Sequence, residues 1–132
     1  MDAGAKDETS RKFQRDLNAG LVALVLLGVL AESGEDLYGY DIAKRLQRAR
    51  EGEPLFKEGT IYPVLRSLAA SGWLSSRIVP SYSGPPRRYY RITDEGRAVL
   101  AQWRGVWRDT RDFVDQFTGP SSTDNPDTDH TP

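Results

Sequence analysis

The chain has 132 residues, with 18 Lys and Arg against 19 Asp and Glu, one histidine and no cysteine. That length fits one domain with short tails. Lack of cysteine excludes disulfides and thiolate-held metal, and His130, the only histidine, sits near the end in a polar stretch, leaving histidine-ligated metal and Ser-His-Asp catalysis without a base or ligand. No cofactor or metal is expected, and no carboxylate pair is placed to argue for an enzyme.

Residues 1–10 lack apolar periodicity and are expected to be disordered. Arg11, Lys12 and Arg15 lead into a first helix ending near Ser33. Leu17, Leu21, Leu24, Val25 and Leu27 are expected to face inward, and Val22, Leu26 and Val29 make the helix apolar nearly all round. Such a helix needs cover on several sides, from a large core or a second chain. Its apolar run, 21–31, stops at Glu32, short of the roughly 20 residues of a bilayer span. It also lacks a signal-peptide arrangement, so a buried helix of a cytoplasmic protein is expected.

After a turn at Ser33-Gly-Glu-Asp36, a second helix is predicted over 38–50, with Ile42 and Leu46 on its inner face. Gly52 and Pro54 end it. A third helix is predicted over 58–71, with Ile61, Leu65 and Leu68 buried, Val64 beside them, Pro63 tolerated near its start and Gly72 as its cap. Two short helices joined by a tight connection, the second opening on polar residues, make a helix-turn-helix pattern.

Two short strands, 73–79 and 87–93, flank a loop rich in proline at 80–86, which reads as a hairpin. Arg87, Tyr89 and Arg91 alternate with Arg88, Tyr90 and Ile92, so the hairpin is basic: a wing. Thr93 caps a fourth helix running to about Phe117, with Asp94 and Glu95 favouring the positive end of its dipole. Along it, Val99, Trp103, Val106, Thr110, Phe113 and Phe117 repeat at heptad-like spacing, with Trp107 and Val114 alongside. At 1.5 Å per residue this seam is roughly 37 Å long, more than so small a domain can cover, and it predicts a second subunit. Residues 119–132 are rich in Ser, Thr, Pro and Asp and are expected to be disordered.

The net charge of −1 would weigh against nucleic acid if it were spread evenly, but it is segregated. Residues 38–93 hold ten Lys and Arg against four acids, a local +6, and the rest of the chain carries −7. A phosphate-facing surface requires this kind of segregation, although a solvated mixed surface would also contain it. The expected fold is α+β and mainly α: a winged helix-turn-helix domain over 11–93 and a long dimerisation helix over 94–118.

Three blocks are similar to a known family: Tyr38-Gly-Tyr-Asp-Ile42, Glu58-Gly-Thr-Ile-Tyr-Pro63 and Gly84-Pro-Pro-Arg-Arg-Tyr-Tyr-Arg-Ile-Thr-Asp-Glu-Gly96. In order and spacing they resemble the signature blocks of the PadR regulators, over about 17–117, and the single C-terminal helix resembles that family's smaller branch. The resemblance implies a homodimeric winged-helix repressor on a palindromic operator, with the first and last helices forming the dimer. It also implies that a planar aromatic effector can release such a protein from DNA.

Site residues follow. Lys57, Thr60, Tyr62 and Arg66 on the third helix would present hydroxyls and cations to base edges and phosphates in double-stranded DNA. The plain alternative is that Tyr62 packs against the wing and Thr60 caps the helix. Lys44 joins the DNA-facing set, and Arg87 and Arg88 in the wing would clamp phosphates or enter the minor groove. By resemblance Tyr38 lies near the DNA backbone. Leu21, Val25, Val99, Val106, Phe113 and Phe117 would build the dimer. Trp103 and Trp107 would stack on a flat ligand, or are simply large core residues. A protein-interaction module or a small-molecule carrier without an operator is the alternative function.

Overall fold

The computed structural model describes residues 7–119. The disorder expected for 1–6 and 120–132, and His130 with it, lies outside them. The elements are α1 (Glu8–Ser33), β1 (Leu37–Tyr38), α2 (Gly39–Arg48), α3 (Glu58–Ala70), β2 (Leu74–Val79), β3 (Arg87–Ile92) and α4 (Asp94–Thr118).

Helix α1 begins three residues before its expected start, because Asp7 caps it: its carboxylate accepts from the Ser10 N–H at 2.7 Å. At the other end Gly34 takes a left-handed φ of 69° and donates its N–H to the Leu30 carbonyl. The inward face differs from the expected one. Val22, Leu26, Leu27 and Leu30 are buried, whereas Leu21, Leu24 and Val25 are only half-buried and Leu17 is exposed. A helix apolar nearly all round offers several stripes of equal quality, so periodicity cannot fix its rotation; packing against α3 and β3 does. By length and composition α1 is apolar enough to cross a bilayer, but four of its side chains are core residues of this fold.

Tyr38 does not open a helix as expected. Leu37 and Tyr38 form a short strand paired antiparallel with Tyr90 and Tyr89, and α2 starts at Gly39. Ile42 and Ala43 are buried in α2, and Leu46 is half-buried. The link to α3 is also longer than the tight connection expected: nine residues, 49–57, separate the two helices. Phe56 in that link is buried in the core, and the Leu55 carbonyl accepts from Asn18 Nδ2 at 2.8 Å, fixing the link to α1.

In α3, Ile61, Leu65 and Leu68 are buried as their spacing predicts. Pro63 is the sixth helical residue, so the Gly59 carbonyl lacks its usual i+4 donor. Gly72, with φ 85°, follows the C-cap Ser71 and donates to the Ala69 carbonyl.

The three strands lie in the order β1-β3-β2, all antiparallel. Leu74, Tyr90 and Ile92 reach the core from the sheet, and Leu100 from the start of α4. The junction of sheet and α4 is tied by backbone contacts. Thr93 donates its N–H to the Trp73 carbonyl and its hydroxyl to the Gly72 carbonyl, and accepts from the Gly96 N–H at 2.9 Å. Thr93 is therefore the expected cap, and Gly96 is the residue that lets α4 sit this close. A Cβ on Gly96 would run into the Trp73 carbonyl and the Ile92 side chain.

The chain divides into two compact units, ending and beginning at Leu100 and Ala101. The described part of the second is the remainder of α4. On it Val106, Phe113 and Phe117 are 63%, 63% and 69% exposed, with the two Phe rings 5.2 Å apart.

Gly96→Ala is therefore expected to lose about 1–3 kcal/mol of unfolding free energy by overpacking against a backbone group that cannot retreat, as read from urea denaturation followed by circular dichroism.

Candidate nucleic-acid interface

Strand β3 organises the candidate site. Its pairing sends Arg87, Tyr89 and Arg91 to one face of the sheet and Arg88, Tyr90 and Ile92 to the other, the core-facing one. The two wing arginines grouped together in the sequence thus serve different faces.

On the core side, Tyr90 is buried beside Gly39, whose Cα hydrogen points at the rings of Tyr62 and Tyr90; a Cβ there would stand 3.4 Å and 3.7 Å from them. Burial pushes the Tyr90 phenol above its ordinary range, with Arg88 and Arg66 acting in the opposite direction. One arginine of the wing and one of α3 therefore bear on a common tyrosine. Arg66 is exposed, and Arg88 is exposed while donating to the Ser76 hydroxyl at 3.3 Å. Tyr62 is half-buried; burial raises its pKa, followed by Glu58, Tyr38 and Tyr40. Tyr62 packs in a tyrosine cluster around Gly39 and keeps part of its ring at the surface.

The start of α3 is open. Lys57 occupies the N-cap without a side-chain cap bond, and Lys57 and Thr60 are exposed. Thr60 is the third helical residue, not the cap, and its hydroxyl has no hydrogen-bond partner among the described residues. The Thr60 N–H donates to the Lys57 carbonyl, so it is the Glu58 and Gly59 N–H groups and the Lys57 ammonium that stand at the exposed positive end of the helix dipole.

On the outer face, rings and cations form a continuous row. Lys44 lies 5.2 Å from the Tyr40 ring, Tyr40 6.0 Å from Tyr38, and Tyr38 5.7 Å from Tyr89, with the Arg87 guanidinium 5.0 Å over Tyr38. Arg77 continues it, 5.3 Å over Tyr89. The row ends at Asp36, whose two carboxylate oxygens accept from Arg77 Nε at 2.7 Å and Arg91 Nε at 2.6 Å. These bonds hold the Asp36 carboxyl below its ordinary range, the Arg91 bond first and the Arg77 bond second.

Of the expected DNA-facing residues, the fold brings Arg66, Arg88 and Tyr62 to one neighbourhood and Tyr38, Lys44 and Arg87 to another, with Lys57 and Thr60 at the head of α3. Lys44, Lys57, Arg66, Arg87 and Arg88 form no ion pair with any described residue. Tyr40, Tyr89, Arg77 and Asp36 complete the row and were not among the expected site residues. Cross-strand pairing brings Arg77, Tyr89 and Tyr38 together, and no local spacing reveals it. Trp103 is half-buried and Trp107 about one-third exposed; Leu21, Val25 and Val99 are half-buried.

Comparison with known proteins places this geometry. The profile of the transcriptional regulator PadR-like family matches residues 26–102. A crystal structure of a PadR family transcriptional regulator from Eggerthella lenta superposes with a TM-score of 0.71 at 31% identity, over 87% of this chain and 96% of that one. A transcriptional regulator from Clostridium thermocellum gives 0.69 at 30% identity, over 78% and 98%. A probable transcriptional regulator of Mycobacterium tuberculosis is 32% identical over 65 residues, 49% of this chain and 34% of that protein.

A depressed carboxyl pKa contributes stability that is present above the unfolded-state value and lost as pH falls through the folded-state value. The wild type should therefore lose more thermal stability than Asp36→Asn between pH 5 and about pH 3, with the curves parallel near neutrality, in melting scans across pH.

Proposed function

Because the chain belongs to the PadR-like family of transcriptional regulators, which are not enzymes, we propose that it is a cytoplasmic, sequence-specific DNA-binding repressor that works as a homodimer on a palindromic operator. The observation that carries the reading is the joint arrangement of α3 and the wing: Tyr62 of α3 and Tyr90 of β3 both pack on Gly39, and α3 packs on β2. A major-groove reader and a phosphate clamp on one rigid support keep a fixed spacing, as recognition of a duplex requires.

Lys57 and Thr60 stand at the open head of α3, where a helix entering the major groove presents its first residues. Arg66 and Arg88 supply phosphate charge, Arg87, Tyr38 and Lys44 follow the adjacent backbone, and Tyr62 contributes the exposed part of its ring. Two copies of α3 would lie in successive major grooves about 34 Å apart.

The dimer rests on apolar surface that a lone chain leaves wet. Val106, Phe113 and Phe117 on α4 are mostly exposed, and Leu21, Val25 and Val99 are half-buried. A soluble monomer rarely leaves so many large apolar side chains uncovered along one helix. Trp103 and Trp107 on the same helix offer flat apolar faces to a planar aromatic effector. Such a ligand weakens DNA binding only by favouring a dimer geometry whose α3 spacing mismatches the operator.

The test is fluorescence anisotropy with duplex DNA from upstream of the protein's own gene, titrated at several salt concentrations beside a scrambled duplex. Tighter binding than to the scrambled duplex at every salt is expected, and equal binding to both rejects this DNA as the target. Lys57→Ala, Arg66→Ala and Arg88→Ala should each flatten the salt slope by about 0.9. Thr60→Ala should instead cost about 1–3 kcal/mol of discrimination at one base pair, with folding stability changed by less than about 0.5 kcal/mol. Phe113→Glu is expected to convert the dimer into monomers in sedimentation equilibrium. Trp107→Ala should abolish release by an aromatic effector while leaving the dimer intact.

A further inference from the structure

We propose that Asp36 limits sequence-independent DNA binding: by holding Arg77 and Arg91 on the outer face of the wing it withholds two cations from DNA phosphates. The inference rests on the DNA-binding reading above and adds a residue that acts by restraint.

The geometry is that of a clamp. Each carboxylate oxygen of Asp36 takes one guanidinium, at 2.7 Å and 2.6 Å, distances typical of charge-assisted bonds. The Asp36 side chain is only 22% exposed, while the arginines remain 61% and 55% exposed. The cations thus sit at the surface with their charge partly cancelled. Together the three groups carry +1 instead of the +2 that two free arginines would present, and the residual anion repels an approaching phosphate.

Position makes this restraint relevant to DNA. Arg77 packs on Tyr89, Tyr89 on Tyr38, and Tyr38 carries Arg87 on its ring and adjoins Tyr40 and Lys44. Arg77 therefore belongs to the same row of rings and cations that holds three of the expected backbone contacts. Arg91 lies two residues along the same strand face as Tyr89. Without Asp36 the row would extend by two phosphate-binding cations. Because backbone phosphates are the same at every sequence, the gain would be shared by all DNA.

The chemistry gives a measurable size. Two added phosphate contacts steepen the dependence of log affinity on log salt by about 1.8. Between 50 and 200 mM salt this amounts to an additional loss of roughly twelvefold. Asp36→Asn keeps the side-chain shape and one acceptor while removing the charge, so the wing can keep its fold.

The experiment titrates wild type, Asp36→Asn and the double variant Arg77→Gln/Arg91→Gln with a fluorescein-labelled random 30-base-pair duplex and with the upstream duplex, at 50–200 mM salt. Asp36→Asn is expected to bind the random duplex about tenfold more tightly at the lowest salt, with the steeper slope. The ratio of upstream to random affinity should not increase. The double variant should keep the wild-type slope, since it loses no phosphate contact, although its uncovered Asp36 charge lowers affinity; adding Arg77→Gln and Arg91→Gln to Asp36→Asn should return it to the wild-type slope.

An unchanged slope in a folded Asp36→Asn overturns the inference and leaves Asp36 as a structural clamp. A slope flattened by about 1.8 in the double variant also overturns it, because the arginines would then be phosphate contacts already in use. That second variant decides the matter if Asp36→Asn fails to fold. If wild type binds neither duplex at 50 mM salt, the DNA-binding reading fails and takes this inference with it; if wild type binds and only the variant predictions miss, the inference alone is rejected.

Discussion

Strand β3 is held on both sides, by β1 and by β2, and this constraint governs nearly everything functional in the chain. A central strand has its backbone groups paired in both directions and cannot rotate or slip without breaking two ladders at once. Its side chains must then alternate strictly. Six residues, Arg87–Ile92, are thereby sorted into two in the core, one at its margin on the inner face and three on the outer surface. Slippage by one position would put Arg91 and Tyr89 into the core and Tyr90 and Ile92 into water. The burial of Tyr90 among Gly39, Tyr62 and the α1 side of the core excludes that register, so the placement of every wing arginine derives from one tyrosine.

Where a local pattern has a single solution, the sequence was legible. The 4-then-3 spacing of Ile61, Leu65 and Leu68, the Thr93 cap and the alternation along β3 all appear in the structure as their spacing implies. The rotation of α1 was not legible, because an all-apolar helix satisfies several stripes equally. Nor was β1: two residues carry no periodicity, and Leu37 and Tyr38 become a strand only because β3 offers them an edge. The long link at 49–57 hides Phe56 for the same reason, since a single aromatic in a polar loop carries no periodicity and becomes core only through tertiary packing.

The candidate interface was legible in its cations and not in its connections. Counting charges from 38 to 93 treats every Lys and Arg as equal, but the fold divides them. Arg77 and Arg91 are neutralised in part by an acid just outside that window, whereas Lys57 and Arg66 meet no anion. Asp36 and Arg91 are 55 residues apart in sequence, and no pattern reading can pair them. The tyrosines were similarly ambiguous. Each had a packing role and a contact role open to it, and in the structure Tyr62 and Tyr38 combine packing against neighbouring groups with partial exposure.

That combination has a physical consequence for how such a surface recognises anything. An arginine free in solvent loses rotamer entropy when it binds a phosphate, and this cost erodes the gain. A guanidinium already lying over a ring, as Arg87 lies over Tyr38, has surrendered much of that freedom in the folded state. The row from Lys44 to Arg77 is therefore a preorganised surface, whose geometry is set by β1 and β3 before any partner arrives. Preorganised cations bind every phosphate more readily, the wrong ones included, so discrimination among sequences has to come from elsewhere. On the proposed DNA-binding reading it falls to the open head of α3, where Thr60 keeps a hydroxyl uncommitted, while whatever restrains the cations beside it sets how tightly DNA of any sequence is held. An acid that occupies two arginines at the end of the row is the kind of restraint this architecture requires.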